Sequence, residues 1–193
     1  MTDLIERIER NRFAGREFLL WLWFESEVFE TNLRPAGGSP IALWFETRMT
    51  LSFERDESIL KSPSPAQSPE AKEALRQGKL PKEAKARLTN GEHEFAFMFR
   101  GDTLALGSVA VPSELKDKGD EVYEVFYERT RLLEELEAIL EALWSDFLTL
   151  RLSEAWESTI VPMMKRFASE KRVDEGAYLQ AKKKVLARKA RKG

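Results

Sequence analysis

The spacing of apolar residues divides this chain into helical and extended stretches. From Leu4 to about Glu27 apolar residues recur at helical intervals, and the second half places Phe18, Trp21, Leu22 and Glu25 on neighbouring turns. Gly15 interrupts the run, so the segment reads as one helix or two short ones. Phe18 to Phe24 is apolar nearly all round, which is the pattern of a buried helix. Asn32 to Pro40 holds two prolines and a Gly-Gly pair and reads as a loop. From Ile41 the period changes to two. Ile41, Leu43, Phe45, Met49, Leu51 and Phe53 face one way, and only Thr47 breaks the series. On the other side stand Ala42, Glu46, Arg48, Thr50, Ser52 and Glu54, with Trp44 as the exception. This predicts a strand on a half-buried sheet, either straight, bent or two strands long, followed by a short strand around Ser58 to Lys61.

Turn chemistry marks the next elements. Ser68 caps a predicted helix whose first residue is Pro69 and which Gly78 closes, because proline suits the first turn and glycine the left-handed exit. That helix is short and largely polar and is expected at the surface. Ala84 to Leu88 and Glu94 to Phe99 flank Asn90-Gly91, a pair that favours a two-residue type I′ hairpin turn. Phe95, Phe97 and Phe99 line one face of the second arm. Gly101-Asp102 then turns the chain into Leu104, Leu106, Val109 and Val111, with a bulge expected at Gly107.

A long helix is predicted from Asp120 to about Leu150, roughly 45 Å at about 1.5 Å per residue. Positions 122, 126, 129, 133, 136, 140, 143, 147 and 150 alternate steps of four and three, and all are apolar except Arg129. Val125, Leu132 and Ile139 widen the stripe, which favours packing on the sheet and leaves a helical partner open for the rest. Ser153 is positioned to cap a further amphipathic stretch with Trp156, Ile160, Met163 and Met164, kinked at Pro162. The end of the chain from Asp174 is helix-competent. The fold class expected is α+β: an antiparallel meander packed against a long C-terminal helix, with helical extensions at both ends. Residues 1–164 form the expected single domain and 165–193 a basic tail, helical or partly disordered.

Composition adds one asymmetry. The 193 residues carry a formal net charge of −2, which says nothing about a partner. From Lys165 to Gly193, however, 11 basic residues stand against 3 acidic ones, and the remainder carries 20 basic and 30 acidic residues. This is a basic end on an acidic body. The candidate nucleic-acid ligands are Lys182, Lys183, Lys184, Arg188, Lys189, Arg191 and Lys192, because lysine and arginine that neutralise phosphates release counterions and bind without reading sequence. A solvated surface is the competing reading of the same residues. The aromatic run Phe18 to Phe24 holds no lysine or arginine, so core is favoured there over a base-stacking platform.

Catalytic patterns are missing. There is no cysteine and one histidine, His93, beside the Asn-Gly turn, so the common zinc sites and a cysteine nucleophile are excluded. Neither a Gly-x-Ser-x-Gly elbow nor a Gly-x-x-x-x-Gly-Lys phosphate loop occurs. The abundant carboxylates, such as Glu134, Glu137 and Glu141, lie at helix-surface spacing. The expectation is a protein with no catalytic residues, no metal, no cofactor and no evident small-molecule substrate. The charged N-terminus lacks a signal-peptide pattern, and the longest aromatic-aliphatic run, Phe18 to Phe24, is far short of the about 20 residues a membrane span needs. A cytoplasmic location without membrane contact is expected.

The order of elements carries a resemblance. Ile59-Leu60-Lys61 leads through Ser68-Pro69-Glu70-Ala71-Lys72-Glu73-Ala74-Leu75-Arg76-Gln77-Gly78-Lys79 into Ala84-Lys85-Ala86-Arg87-Leu88. Glu94-Phe95-Ala96-Phe97-Met98-Phe99 and Thr103-Leu104-Ala105-Leu106 come next. The long helix follows with Leu132-Leu133-Glu134-Glu135-Leu136 and Leu140-Glu141-Ala142-Leu143. Over roughly residues 12–150 this resembles the C-terminal portion of the recombination-associated RdgC proteins, and more closely the RdgC-related proteins that carry the block seen here as Gly15-Arg16-Glu17-Phe18-Leu19-Leu20-Trp21-Leu22-Trp23. The resemblance implies an α+β fold and sequence-independent DNA binding in recombination or nucleoid maintenance. It also implies a possible homodimer, since RdgC proteins close as dimeric rings around duplex DNA and restrain RecA-type strand exchange. The chain holds no counterpart of the family's N-terminal part, and the basic tail lies outside the resemblance. No family DNA contact is carried over to a residue here. The alternative function is a protein-interaction or scaffold module that uses the apolar faces of the long helix.

Overall fold

A computed structural model describes the backbone of residues 4–29, 33, 35, 38–53, 55–116, 119 and 121–190, and the side chains of these from residue 14 to residue 187. Helix α1 spans Leu4–Val28 as one unbroken element. The strands are β1 (Ala42–Phe53), β2 (Asp56–Leu60), β3 (Leu80–Thr89), β4 (Glu94–Arg100) and β5 (Ala105–Ala110). Helix α2 (Pro69–Arg76) lies between β2 and β3, and α3 (Val122–Arg151), α4 (Val161–Ala168) and α5 (Glu175–Ala190) follow the sheet. The fold is α+β. Among the described residues the strands form one antiparallel sheet in the order β2-β1-β3-β4-β5.

The two-residue period of β1 survives an irregularity. Phe45 pairs with Ala86 and Met49 with Ala84, so β1 carries two extra residues there, with Thr47 at φ 56°. An even insertion preserves the alternation, and Met49 and Leu51 stay buried with Leu43 and Phe45. Phe53, expected on the same side, is exposed at the end of the strand. Ala84, Ala86, Leu88, Phe95, Phe97 and Phe99 complete the buried face. The opposite face pairs its charges: Glu46 with Lys85 and Arg87, and Glu83 with Arg48 and Arg100.

Two turns differ from expectation in form. Thr89 pairs with Glu94, leaving four residues, Asn90 to His93, in the β3–β4 connection. Asn90 does not adopt positive φ; its Oδ1 instead accepts from the backbone N–H groups of Glu92 and His93, and Gly91 alone is left-handed at φ 92°. In β5 the extra residue falls between the pairs Ala96–Ala110 and Met98–Gly107, and Ser108, next to the expected Gly107, takes the positive φ.

Helices cover the buried face. Gly15 explains how α1 sits so close: a Cβ there would lie 2.0 Å from the carbonyl oxygen of Gly101 in the β4–β5 turn. Glycine permits this backbone contact inside the helix, so it seats α1 instead of breaking it. Phe18 meets Phe99 of the sheet and Trp144 and Phe147 of α3, joining the layers. Helix α2 begins as read, with Ser68 Oγ accepting from Ala71 N at 3.2 Å and Gly78 at φ 84°. It is not wholly a surface helix: Ala71, Ala74 and Lys72 are buried, and the Lys72 ammonium lies 3.2 Å from the Phe167 ring centroid and 2.8 Å from Glu27.

The expected division at 164/165 falls inside α4. Phe167 and Tyr178 beyond it are buried in the same core as Trp21, Trp23 and Phe24. The tail is therefore helical and integrated, at least through Lys182. Ser153 donates its hydroxyl to the Leu150 carbonyl instead of capping, and a π-helical turn at Trp156–Ile160 precedes Pro162. Among the described residues no helix is long and apolar enough to cross a membrane.

Candidate functional site

The basic helix α5 starts with Asp174, whose Oδ1 accepts from Ala177 N at 3.0 Å. One turn later Tyr178 is fully buried among Phe24 and Phe29. Its hydroxyl accepts from Trp21 Nε1 at 2.9 Å and donates to Glu25. One further turn brings Lys182 over the same carboxylate, with Nζ 2.8 Å from both Glu25 oxygens. The Glu25 side chain is 1% exposed and that of Lys182 11%. A carboxylate so buried needs a cation and hydrogen-bond donors, and this network supplies both. Burial first, and the nearby Glu25 carboxylate second, hold the Tyr178 phenol well above its usual pKa, so it stays a donor.

This network sorts the candidate nucleic-acid ligands. Lys182 is an internal anchor that bolts α5 to α1. Lys183 and Lys184 are exposed on the same helix. The backbone of α5 continues to Ala190, but the side chains of Arg188 and Lys189, and residues Arg191 and Lys192 entirely, lie outside the described residues. Four basic residues not singled out from the sequence add to the set: Lys165 and Arg166 at the end of α4, and Lys171 and Arg172 before α5, all exposed. Arg166 Nε donates to the Arg172 carbonyl at 2.8 Å, which fixes the turn between the helices. Glu170, the acid in that turn, is engaged by Arg76 at 3.2 Å.

A second unusual surface lies on α3. Val122, Tyr123, Phe126 and Tyr127 are 78%, 76%, 63% and 71% exposed. Single exposed apolar residues are ordinary, but four large ones within two turns form a patch. This end of the helix is held by Val125, which is buried, and by Glu128, whose carboxylate accepts from Ser113 Oγ and from the Glu114 and Leu115 N–H groups. Further along, Glu135 accepts from Asn90 Nδ2 and contacts His93 Nδ1 at 3.0 Å, tying α3 to the β3–β4 turn. Partial burial raises the Glu135 pKa, but the His93 and Asn90 contacts outweigh it and leave it below the usual carboxylate value. His93 thus serves as a tether at the turn.

One signal for the Glu25 network was present in the sequence. Glu25 shares a buried helix with Phe18, Trp21 and Leu22, and a carboxylate in that position demands a cation from elsewhere. Nothing in the spacing says that the cation is Lys182. Among the described residues no group of three or more histidine, cysteine or acidic side chains is placed to hold a metal ion. Comparison with known families finds no family model that matches this chain, and no curated protein matches it.

Proposed function

We propose that the chain is a non-catalytic, sequence-independent DNA-binding accessory protein of recombination or nucleoid maintenance, acting in the cytoplasm through its basic C-terminal helices. The observation that carries this reading is the exposed set Lys165, Arg166, Lys171, Arg172, Lys183 and Lys184, borne on α4, on α5 and on the turn between them, with α5 locked to α1 by the Glu25–Tyr178–Lys182 network. Positive side chains on a rigid support can meet successive phosphates without ordering a tail first, and each neutralised phosphate steepens the log–log salt dependence by about 0.9. The resemblance to RdgC proteins over roughly residues 12–150 implies DNA binding by the chain, but it does not extend to these helices.

The test is fluorescence anisotropy of a labelled duplex at two salt concentrations, using the full chain and the double variant Lys183→Ala with Lys184→Ala. Removing two phosphate contacts should weaken binding and flatten the salt slope by about 1.8. Truncation before α5 is unsuitable, because it deletes Tyr178 from the core. Equal slopes for both proteins, or no binding at low salt, would refute the role of this surface.

A second reading has its own observation. The exposed Val122, Tyr123, Phe126 and Tyr127 favour a protein partner on α3, because apolar aromatics carry interfaces and tolerate salt.

A further inference from the structure

The α3 surface continues beyond its aromatic patch. At 3.6 residues per turn, Phe126, Leu133, Glu137 and Trp144 fall on one side of the helix, with Tyr123, Thr130 and Glu141 beside them. Where that side passes the sheet edge, a cleft of about 420 Å³ opens between α3 and the β4–β5 turn. Its apolar walls include Phe99, Leu104, Leu106, Leu140 and Trp144, and Glu137 and Glu141 stand at its rim. A smaller cleft of about 280 Å³ shares Leu104 and Trp144 and runs on to the Gly15–Gly101 contact. Leu104 adopts φ 56°, a left-handed conformation unusual for leucine, and holds its partly exposed side chain at the mouth. Strand β5 is an edge: it pairs with β4, and among the described residues no strand pairs with its other side.

Charge identifies what fits. On the outer sheet face the carboxylates are already paired, Glu46 with Arg87, Glu83 with Arg48 and Glu57 with Lys82. Glu134, Glu137 and Glu141 are exposed on α3, and none of them makes an ion pair among the described residues. An apolar cleft under unpaired carboxylates repels nucleic acid and anionic lipid and attracts an apolar group flanked by cations.

We propose that this cleft docks a short segment of a partner protein in which a large apolar side chain is flanked by lysine or arginine. The apolar side chain enters between Leu104, Leu106 and Trp144, and the flanking cations meet Glu137 and Glu141. The free edge of β5 lies along the same cleft and offers backbone groups to an extended segment, although the bulge at Ser108 limits that pairing to the Ala105–Gly107 end. The proposal builds on the protein-partner reading of α3 and is independent of DNA binding through α5.

The test is selection of a random 12-residue peptide library displayed on phage against the full chain. Selected peptides are then synthesised, labelled and titrated by anisotropy against the wild type, Glu137→Gln with Glu141→Gln, and Leu106→Glu. The expected result is enrichment of Leu, Phe or Trp next to Lys or Arg. Affinity should fall about tenfold in the double glutamine variant and below detection in Leu106→Glu, with circular dichroism and melting unchanged in the former. Amide shifts on peptide addition should centre on Leu104, Leu106 and Glu137 to Trp144. No enrichment, peptides without basic residues, equal affinity for the double variant, or shifts confined to Val122–Tyr127 would each overturn the proposal. Self-association that the double variant does not alter and that excludes the peptide would also overturn it, in favour of a second copy of the chain. Duplex binding measured on the same double variant should match the wild type, so failure of the cleft and failure of the DNA reading are separable.

Discussion

From Leu136 to Leu150 the four-and-three spacing of α3 is met by buried side chains, Leu136, Leu140, Leu143, Phe147 and Leu150, whereas Val122, Phe126 and Leu133 in the same register lie exposed. The core-facing residues of the first half are Val125 and Leu132 instead. The geometry of a straight helix explains the change. A seven-residue repeat drifts about 20° per heptad against 3.6 residues per turn, so the stripe rotates by about 80° between Val122 and Leu150. It starts to one side of the core and has turned onto it by Leu136. A long apolar stripe therefore does not record a single partner along its length. Its buried half is matched by Phe18, Trp21 and Trp156, and its exposed half is free to meet something else.

The largest effect should come from breaking the buried half. Phe147 is fully buried and packs on Phe18, Trp21, Trp144 and Trp156. Phe147→Ala removes most of that contact and leaves a cavity that the surrounding rings fill only in part. Urea unfolding should show a loss of about 4 kcal/mol. A loss under 1 kcal/mol would mean that this half of α3 is not in the core.

The two halves were unequally legible in the sequence. The buried stretch Phe18 to Phe24, the sheet alternation of β1 and β4, and the start and stop of α2 at Ser68 and Gly78 are local signals, and the structure follows them. The role of Gly15 was not legible, because the same residue that weakens a helix locally allows the 2.0 Å approach to a carbonyl 86 positions away in the chain. The integration of α5 was hidden for a similar reason. A run of three lysines reads as uniform surface, yet helical periodicity puts Lys182 one turn from Tyr178 and over Glu25, while Lys183 and Lys184 point away. The cleft beside α3 needed the β4–β5 turn and α3 brought together, and no spacing within either segment announces it.

A smaller effect should appear at the boundary between the halves. The Glu135 carboxyl titrates below its usual range in the folded chain because His93 and Asn90 favour the charged form. A depressed carboxyl contributes stability that is fully present above the unfolded-state value and is lost as pH falls through the folded value. Acid should therefore weaken the tether between α3 and the β3–β4 turn, seen as faster amide exchange over residues 132–136 below the ordinary carboxylate value. Glu135→Gln should be less stable at neutral pH and should show a shallower fall on acidification. An identical acid profile in the variant would place the pH dependence elsewhere, with Glu46 the next candidate, since its pairing with Arg87 and Lys85 overcomes partial burial in the same direction.

The smallest effect should come from the exposed half, and its smallness is informative. Phe126 is 63% exposed, so Phe126→Ala removes little buried area and should change unfolding stability by no more than about 0.5 kcal/mol in dilute solution. A natural surface does not keep Val122, Tyr123, Phe126 and Tyr127 in water for the sake of folding, because their exposure contributes no core contact and adds a tendency to associate. If the variant is neutral at low protein concentration and remains neutral at high concentration, the patch is covered neither by the chain itself nor by a second copy. Any occupant is then a different molecule. A loss of about 2 kcal/mol that grows with protein concentration would instead show that copies of the chain cover it, because a partner that binds only the folded form stabilises by mass action. The same substitution thus separates a self-complementary stripe from one kept for another protein, whichever way the DNA reading of α5 falls.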